Sequence, residues 1–572
     1  MRASVGSRWR IAFGLLALGL VFVFAVATAS AASRVYWTDE GTQTVSFADL
    51  DGSGAGGNLS TTGATALSEP SGTTIDIAAG KIYWVQQDTT TVSFANLDGS
   101  GGGDLKTTGA TVDEAEGVAI DPATGKLFWA NESGSSPVSF ASLDGSGGGD
   151  LNVTGATPDD PSGLAIDPDN GKVYWANFGN DTISFANLDN SGGGAQLNIS
   201  GATAVGPAGV AIDAAAGKVY WTNFNNNTIS FANLNGTGGG GQLSTGGATI
   251  KEPWGLAIDP AAGKLYWANF NGGGISFAKL DGSGGGNLNV AALTPTEPNF
   301  PSLLEVPSNT RAPAVSGGST PGSTLDCFQG SWASDLLGSY LYQTPRSFAY
   351  SWTLNGSPIA GASSNSITAS SAGSYVCQVT AANGAGSTEK SSAPHVVTPA
   401  PHTLTVTRHG TGSGTVSSSP GGISCGSVCS ASYAATTTVA LMAKPASGSK
   451  FAAWAGPCSG TGVCTVSMNT DQAVTATFTL LPPNTKITKA TISSKKRKAS
   501  FKFKAHGKSS GFRCALVKKS KRHHKQSKPS YRHCRSPKGY KRLKAGRYTF
   551  TVRASNAGGS DPTPASKSFT IR

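Results

Sequence analysis

Five acids recur at one place in the first half of the chain: Glu69, Glu114, Asp160, Glu252 and Glu297, with Gly206 in the equivalent position of one further copy. Pro70, Pro161, Pro253 and Pro298 stiffen the exit from four of them. Carboxylates held at one height around a ring could gather a cation or a basic partner. Two residues further on the copies differ: Ser71, Glu116, Ser162, Ala208, Trp254 and Asn299. Trp254 stands out, because an aromatic surface suits the docking of a sugar or a peptide. Other chemistry is closed to this half. All seven histidines lie beyond residue 394 and no cysteine precedes Cys327. Imidazole bases, thiol nucleophiles and histidine-bound metals are therefore absent there. The LDGSG turns at Asp51, Asp98, Asp144 and Asp281 partly echo calcium loops, but they lack the closing bidentate glutamate and read as plain β-turns. Glycine runs contain G-x-G strings with no helical pattern after them, so phosphate cradling is set aside.

The last segment carries a different chemistry. Residues 484–572 hold 26 Lys+Arg against the single acid Asp561. Their densest stretch spans 518–544, with Lys518, Lys519, Lys521, Arg522, Lys525, Lys528, Arg532, Arg535, Lys541, Arg542 and Lys544. Such a patch gains affinity for any polyanion by releasing counterions. Nucleic acid is one reading. The amino terminus favours another: Arg2, Arg8 and Arg10 precede an apolar run over 11–27 and a small-residue site ending at Ala31. That is the pattern of a secretory signal over 1–31. Export makes an anionic cell-wall polymer, a lipid surface or a glycan the expected partner of the basic segment.

The elements that must position these residues form a repeat. An aromatic-Trp pair recurs at Trp37, Trp84, Trp129, Trp175, Trp221 and Trp267, in steps of 45 to 47 residues. One copy, residues 252–288, reads EPWGLAIDPAAGKLYWANFNGGGISFAKLDGSGGGNL. GLAID, KLYWAN and ISFAKL are short strands, and DPAAGK and LDGSGGG are turns. A period near 46 with about four strands is the size of a propeller blade. These copies resemble the YWTD repeat, class B of the low-density-lipoprotein receptor, over 34–305. The resemblance implies a six-bladed propeller. Asp39 keeps the motif's acid, while the other copies carry Gln86, Asn131, Asn177, Asn223 and Asn269. A hydrogen-bonding role survives Asp→Asn better than Asp→Gln, so blade 2 departs most. The chain enters at Arg34 without an inner strand, and the stretch from Glu297 to Glu305 looks like a strand entry with no YW strand after it. It is expected to close the ring by completing blade 1, which removes exposed edges.

Eight cysteines fall into three groups, Cys327/Cys377, Cys425/Cys429/Cys458/Cys464 and Cys514/Cys534. Even counts in separate segments suggest that each domain closes its own bridges in an oxidising compartment. Residues 306–398 resemble an immunoglobulin-like sandwich: Cys327, Trp352 and Cys377 keep the Cys…Trp…Cys order, and Tyr375 stands two before the second cysteine. An insertion around 334–346 lengthens the first interval. Residues 401–480 resemble the divergent internalin-type B-repeat, carried by GTVSSSPGGISCGSVC, the Phe451/Trp454 pair and DQAVTATF. That resemblance implies the tight bridges Cys425–Cys429 and Cys458–Cys464. Residues 484–572, with alternating ASFKFKA and GRYTFTVRASNAGG, look like a fibronectin-III-like domain, in which Cys514 and Cys534 pair.

The fold class expected is all-β: a six-bladed propeller over 33–305 followed by three small disulfide-bonded β domains. A length of 572 residues is too much for one compact enzyme domain, and charged residues at 13% argue against a highly charged disordered chain. The net charge of +11 conceals two poles: 9 basic against 28 acidic residues over 33–305, and the strongly basic 484–572. The expected function is an exported bacterial binding or adhesion-type protein, secreted or surface-associated. Its propeller would be a non-catalytic face for a protein or carbohydrate ligand, using Glu69, Glu114, Glu116, Asp160, Glu252, Trp254 and Glu297. No cofactor is implied beyond a possible calcium ion. The alternative is a propeller hydrolase or lyase, similar to calcium-dependent lactonases, carried on surface-binding modules.

Overall fold

The structure, a computed structural model, describes residues 33–519 and 528–572. The expected signal segment, and Lys521, Arg522 and Lys525, lie outside them. The described residues are all β, with three short 3-10 turns and no α-helix. They divide into two compact units.

The first unit holds six antiparallel sheets of four strands each, one per repeat, with a fifth strand added to blade 1. In blade 4 the inner strand Pro161–Asp167 pairs with Lys172–Asn177, then Thr182–Asn187, then Ala195–Gln196. The tail completes blade 1: Ser302–Leu304 pairs antiparallel with Arg34–Asp39, placing Leu304 opposite Arg34 and Ser302 opposite Tyr36. The six tryptophans are fully buried and form the common core with the Val, Leu and Ile of the middle strands. On the outer face Lys81 Nζ lies 3.7 Å from the Phe94 ring centroid, and Arg34, Lys126, Lys172, Lys218 and Lys264 repeat this cation–π contact. The same bases stand opposite an acid at one end of each blade, as Lys172 does with Asp167. The turn acids are consumed locally: Asp51, Asp98, Asp144 and Asp281 each accept the backbone N–H two residues on, at 2.8–2.9 Å.

Inner strands pack so tightly that only glycine fits beside the next blade. A Cβ on Gly117 would meet Gly163 Cα at 2.6 Å, and one on Gly209 would meet Gly255 Cα at 2.6 Å. The central channel is filled. Phe300, 4% exposed, lies where a Cβ on Gly255 of blade 6 or Gly163 of blade 4 would strike it, at 2.3 Å and 2.8 Å. The 334–346 insertion, read from sequence only as an irregular interruption, closes the end away from the acids. Leu341–Tyr342 pairs parallel with Ser302–Leu304 as the fifth strand of blade 1. Tyr340, Leu341 and Tyr342 are all buried within the propeller core. Ser339 Oγ donates to the Ile212 carbonyl, and the Tyr342 and Thr74 hydroxyls bond at 2.6 Å. Beyond the insertion, Ser347–Leu354 pairs with Gly373–Asn383, setting Trp352 opposite Cys377, which is bridged to Cys327.

In the second unit His402–His409, Ser430–Tyr433, Ser449–Ala455 and Gln472–Leu480 form one sheet, with His402–His409 and Gln472–Leu480 parallel. A second sheet of Gly414–Ser419, Ser424–Cys425, Thr438–Pro445 and Cys464–Ser467 shares its apolar core. Cys425–Cys429 and Cys458–Cys464 are bridged. The described residues of 484–572 form two further sheets around Phe501, Phe503, Phe550 and Val552, with Phe501 stacked on Phe550 at 4.1 Å. Cys514–Cys534 links two adjacent strands of one of these sheets.

Candidate functional site

The end of the propeller opposite the inserted loop carries the acids identified from sequence. Glu69, Glu114, Asp160 and Glu252 adopt left-handed backbone, with φ between 45° and 48°, and Gly206 does the same at 59°. Non-glycine residues rarely take this conformation, and bulky side chains are strained in it. Each position serves one purpose in the fold: its carbonyl accepts the N–H of the residue just after the motif Asn, Gln or Asp. Glu69 thus binds Gln87 N, Glu114 binds Glu132 N, and Asp160 binds Phe178 N, at 3.0–3.1 Å. Gly206 binds Phe224 N, Glu252 binds Phe270 N, and Glu297 binds Glu40 N, at 2.9–3.1 Å.

These bonds lift a second ring of side chains to the rim, which sequence reasoning missed. It reads Glu40, Gln87, Glu132, Phe178, Phe224 and Phe270 from blade 1 to blade 6. The signal was available: the residue after YWAN or its equivalent is polar in three copies and Phe in the next three. The wall below it is the variable position recognised from sequence. Asn299, Ser71, Glu116 and Ser162 are buried there, as is Ala208, while Trp254 is half-buried. Trp254 packs on Phe224, Phe270 and Phe178 with ring centroids at 4.9, 5.6 and 5.9 Å. The rim is therefore divided, with polar and acidic side chains on blades 1–3 and aromatic ones on blades 4–6, while the repeated acids Asp160 and Glu252 stand on blades 4 and 6.

Glu116 is 2% exposed. Its Oε1 accepts Gln87 Nε2 at 2.6 Å and its Oε2 accepts Ser162 Oγ. Burial pushes its carboxyl well above the usual carboxylate range, and the charges of Glu132 and Glu40 push the same way. Glu40 and Glu132 are raised too, by burial first and by neighbouring carboxylates second. None is relieved by a base: among the described residues, the propeller's one ion pair is Arg34–Asp49, at 3.2 Å. Lys251, next to Glu252, donates instead to the Asn271 carbonyl at 2.9 Å. Among the described residues, no group of three or more His, Cys, Asp or Glu is arranged to hold a metal.

The motif residues below the rim hold the blades. Asn177 Oδ1 accepts Trp175 Nε1 at 2.9 Å, and its Nδ2 donates to Ser184 Oγ at 2.9 Å. Asn131 and Asn269 do the same for Trp129 and Trp267, at 3.1 Å. Gln86 keeps the bond to Ser68 N at 2.9 Å but leaves Trp84 Nε1 without a partner, and Trp37 Nε1 beside Asp39 is likewise unpartnered. Blade 2 thus departs as the Asp→Gln change implies, and blade 1 shares the defect.

In residues 484–572, Lys518, Lys519, Lys528, Arg532, Arg535, Lys541, Arg542 and Lys544 are all exposed. A sharper feature lies on the sheet beside them. Lys486 stands directly opposite Lys504, and Lys489 opposite Lys502, on adjacent antiparallel strands. All four are exposed. Like charges facing across a strand pair are destabilising when nothing lies between them. The alternation in FKFKA carried this signal: Phe501 and Phe503 turn into the core and Lys502 and Lys504 turn out. Asp561 offers no compensation. It is 2% exposed, and its carboxylate accepts Thr485 N at 2.6 Å and Thr563 N at 2.8 Å.

Comparison with known proteins adds family and fold. Residues 402–482 match the family model of the divergent InlB B-repeat domain. A comparison with curated protein sequences finds no match. Among solved structures, the nidogen/laminin complex contains a chain that aligns at 16% identity and a TM-score of 0.39, over 47% of this chain and 98% of that one. A protein from Lactobacillus plantarum aligns at 17% identity and 0.35, over 48% and 99%. A gluconolactonase from Xanthomonas campestris aligns at 15% and 0.30, over 42% and 83%. At these identities no residue role passes to this chain. The findings support an all-β multidomain protein that joins a β-propeller to a bacterial B-repeat.

Proposed function

We propose that the chain is an exported bacterial binding protein of the adhesion type. The propeller mouth would be its non-catalytic ligand face, and residues 484–572 would hold it to an anionic envelope polymer. The observation that carries the attachment role is the pair of facing lysine rows, Lys486/Lys504 and Lys489/Lys502, in a domain whose only acid is buried and bonded to its own backbone. A polyanion laid along them would turn a repulsive surface into a favourable one. The apolar run and small-residue site at the amino terminus, four disulfides and the B-repeat match support an extracellular setting. For the propeller, a floor made by Phe300 favours a shallow docking face over a deep reaction cup.

The test is fractionation of cells producing the full chain, the chain ended after Leu480, or the full chain with Lys486, Lys489, Lys502 and Lys504 changed to Gln. The full chain should stay with the envelope through washes that release the other two. Equal retention of all three would refute attachment through this domain. The ligand face is tested by capture of extracellular material on the purified chain and on its Trp254→Ala variant. The variant should capture less.

A further inference from the structure

We propose that the propeller mouth takes an organic cation carried on an apolar body, an ammonium or guanidinium group with an aliphatic or aromatic stem. The cation would face blades 1–3 and the body would lie on blades 4–6. This rests on the reading of the mouth as a ligand face and names the chemistry that the face selects.

Charge sets one half. Glu40 and Glu132 stand at the rim beside buried Glu116, whose raised carboxyl adds acceptor oxygens more than charge. Glu69, Glu114 and Glu297 stand on the same three blades, against Asp160 and Glu252 on blades 4 and 6. Six of the propeller's nine bases are spent at the other end of the blades, over the Phe rings. Carboxylates gathered without a counter-charge favour a positive guest.

Unpaired hydrogen-bonding atoms make the second observation, independent of charge. Asn299 lies in the wall of this half, 1% exposed, with its Nδ2 donating to the Pro70 carbonyl at 3.3 Å and to Glu40 Oε2 at 3.5 Å. Its Oδ1 has no donor, and neighbouring Ser71 Oγ, also 1% exposed, has no partner. Buried polar atoms left unmatched are costly and rare. An amide oxygen beside a carboxylate is matched by the N–H donors of an ammonium or guanidinium, and among the described residues no group of three or more His, Cys, Asp or Glu is arranged to hold a metal ion instead.

The other half supplies the body's seat. Phe178, Phe224, Trp254 and Phe270 are each half-buried and leave part of their surface at the mouth. Aromatic faces attract both apolar stems and the methylenes next to a cationic nitrogen. Phe300 blocks the axis below, so the guest lies across the mouth from one half to the other and does not enter the channel. An anionic ligand would meet the carboxylates, and a neutral sugar would leave them uncompensated.

The experiment is calorimetric titration of the full chain with phenethylammonium, against uncharged 2-phenylethanol and anionic 3-phenylpropionate as matched bodies. The cation should bind about tenfold or more tightly than the alcohol, and the anion should not bind. Trp254→Ala should weaken the cation about tenfold. Glu40→Gln with Glu132→Gln should remove most of the preference for cation over alcohol, and Lys279→Gln, outside the mouth, should change nothing. Trp254→Phe keeps an aromatic body and should retain most of the binding. An N-acetyl-phenylalanyl-lysine amide arm separates sources: clearly tighter binding than phenethylammonium assigns the group to a polypeptide, and equal or weaker binding to a free organic cation. Equal binding of cation, alcohol and anion, no binding of the cation, or insensitivity to both sets of variants would overturn the proposal. If the cation fails but Trp254→Ala still loses captured extracellular material, the ligand face stands and the ligand class falls. If capture is also unchanged, the face itself falls.

Discussion

Replacing Tyr342 should destabilise the propeller although the residue lies outside its six repeats. Tyr342 is 1% exposed, beside fully buried Leu341 and near-buried Tyr340, within one continuous core with the blade tryptophans. Its backbone pairs with Leu304, and its hydroxyl bonds Thr74 at 2.6 Å. Truncating a large buried aromatic costs about 3–5 kcal/mol, by lost transfer energy and the cavity left behind. Removing the hydroxyl alone costs about 1–2 kcal/mol, because Thr74 then sits buried without its partner. Tyr342→Ala should therefore lower the propeller's unfolding free energy by about 4 kcal/mol and Tyr342→Phe by about a third of that. The assay is urea unfolding of the full chain followed by tryptophan fluorescence, which the six buried blade tryptophans dominate. The reducibility of Cys327–Cys377 reports on the neighbouring sheets. Were Tyr342→Ala to leave the tryptophan transition within about 0.5 kcal/mol of the parent while easing reduction of that bridge, the loop would belong to the following module alone. The reasoning from a shared core would then be wrong.

Four further outcomes follow from the same structure. Asn177→Ala should cost about 3 kcal/mol in chemical unfolding, since it strands the indole N–H of Trp175 and the hydroxyl of Ser184; Gln86→Asn should gain about 1 kcal/mol by giving Trp84 Nε1 an acceptor. Glu116→Gln should flatten the pH dependence of stability. A carboxyl raised in the fold favours folding fully below its unfolded range, and that contribution is lost as pH rises through the raised value, so the variant's melting temperature should overtake the parent's between about pH 5 and pH 9. Gly163→Ala should cost about 1–3 kcal/mol, because its Cβ would press on the Ala208 carbonyl at 2.6 Å and on Phe300 at 2.8 Å.

What could be read in advance followed from local and repeated signals. Six tryptophans at near-constant spacing announce six blades, and the stretch after Glu297 declares itself by lacking a YW strand. The B-repeat was legible because its Pro-Gly, Phe-x-x-Trp and cysteine loops are contiguous. The inserted loop was not. Its LGSYLY has no alternation long enough to mark a strand, and its partner Ser302–Leu304 is distant from it and belongs to another fold element. Phe300 did carry a periodic signal, standing where the other five copies have Gly72, Gly117, Gly163, Gly209 and Gly255, but only the assembled ring reveals that it meets glycines from blades 4 and 6. The rim residues are legible only by comparing copies: the informative position is the one that changes character midway, not the one where an acid repeats. The facing lysines were written in the strand alternation but were masked by the denser basic run after Lys518.

That change of character bears on function because the fold does not ask for it. Duplication explains why an acid recurs in left-handed backbone, and it would equally explain six identical rim residues. The bond that holds each rim residue is made by its backbone N–H, which Glu132 and Phe178 supply alike. Fold stability thus leaves the rim side chain free on every blade, and six free positions would scatter. Instead blades 1–3 carry Glu, Gln and Glu and blades 4–6 carry Phe, Phe and Phe. The wall follows this division in part, with Glu116 and unsatisfied Asn299 on blades 1–3 and Trp254 on blade 6, and with small Ser162 and Ala208 on blades 4 and 5. A half-buried aromatic cluster exposes apolar surface to water, and a buried glutamate among other carboxylates raises the energy of its charged form. Both costs fall at the same end of the same ring, where packing requires neither, and a guest with one cationic and one apolar part would relieve them together.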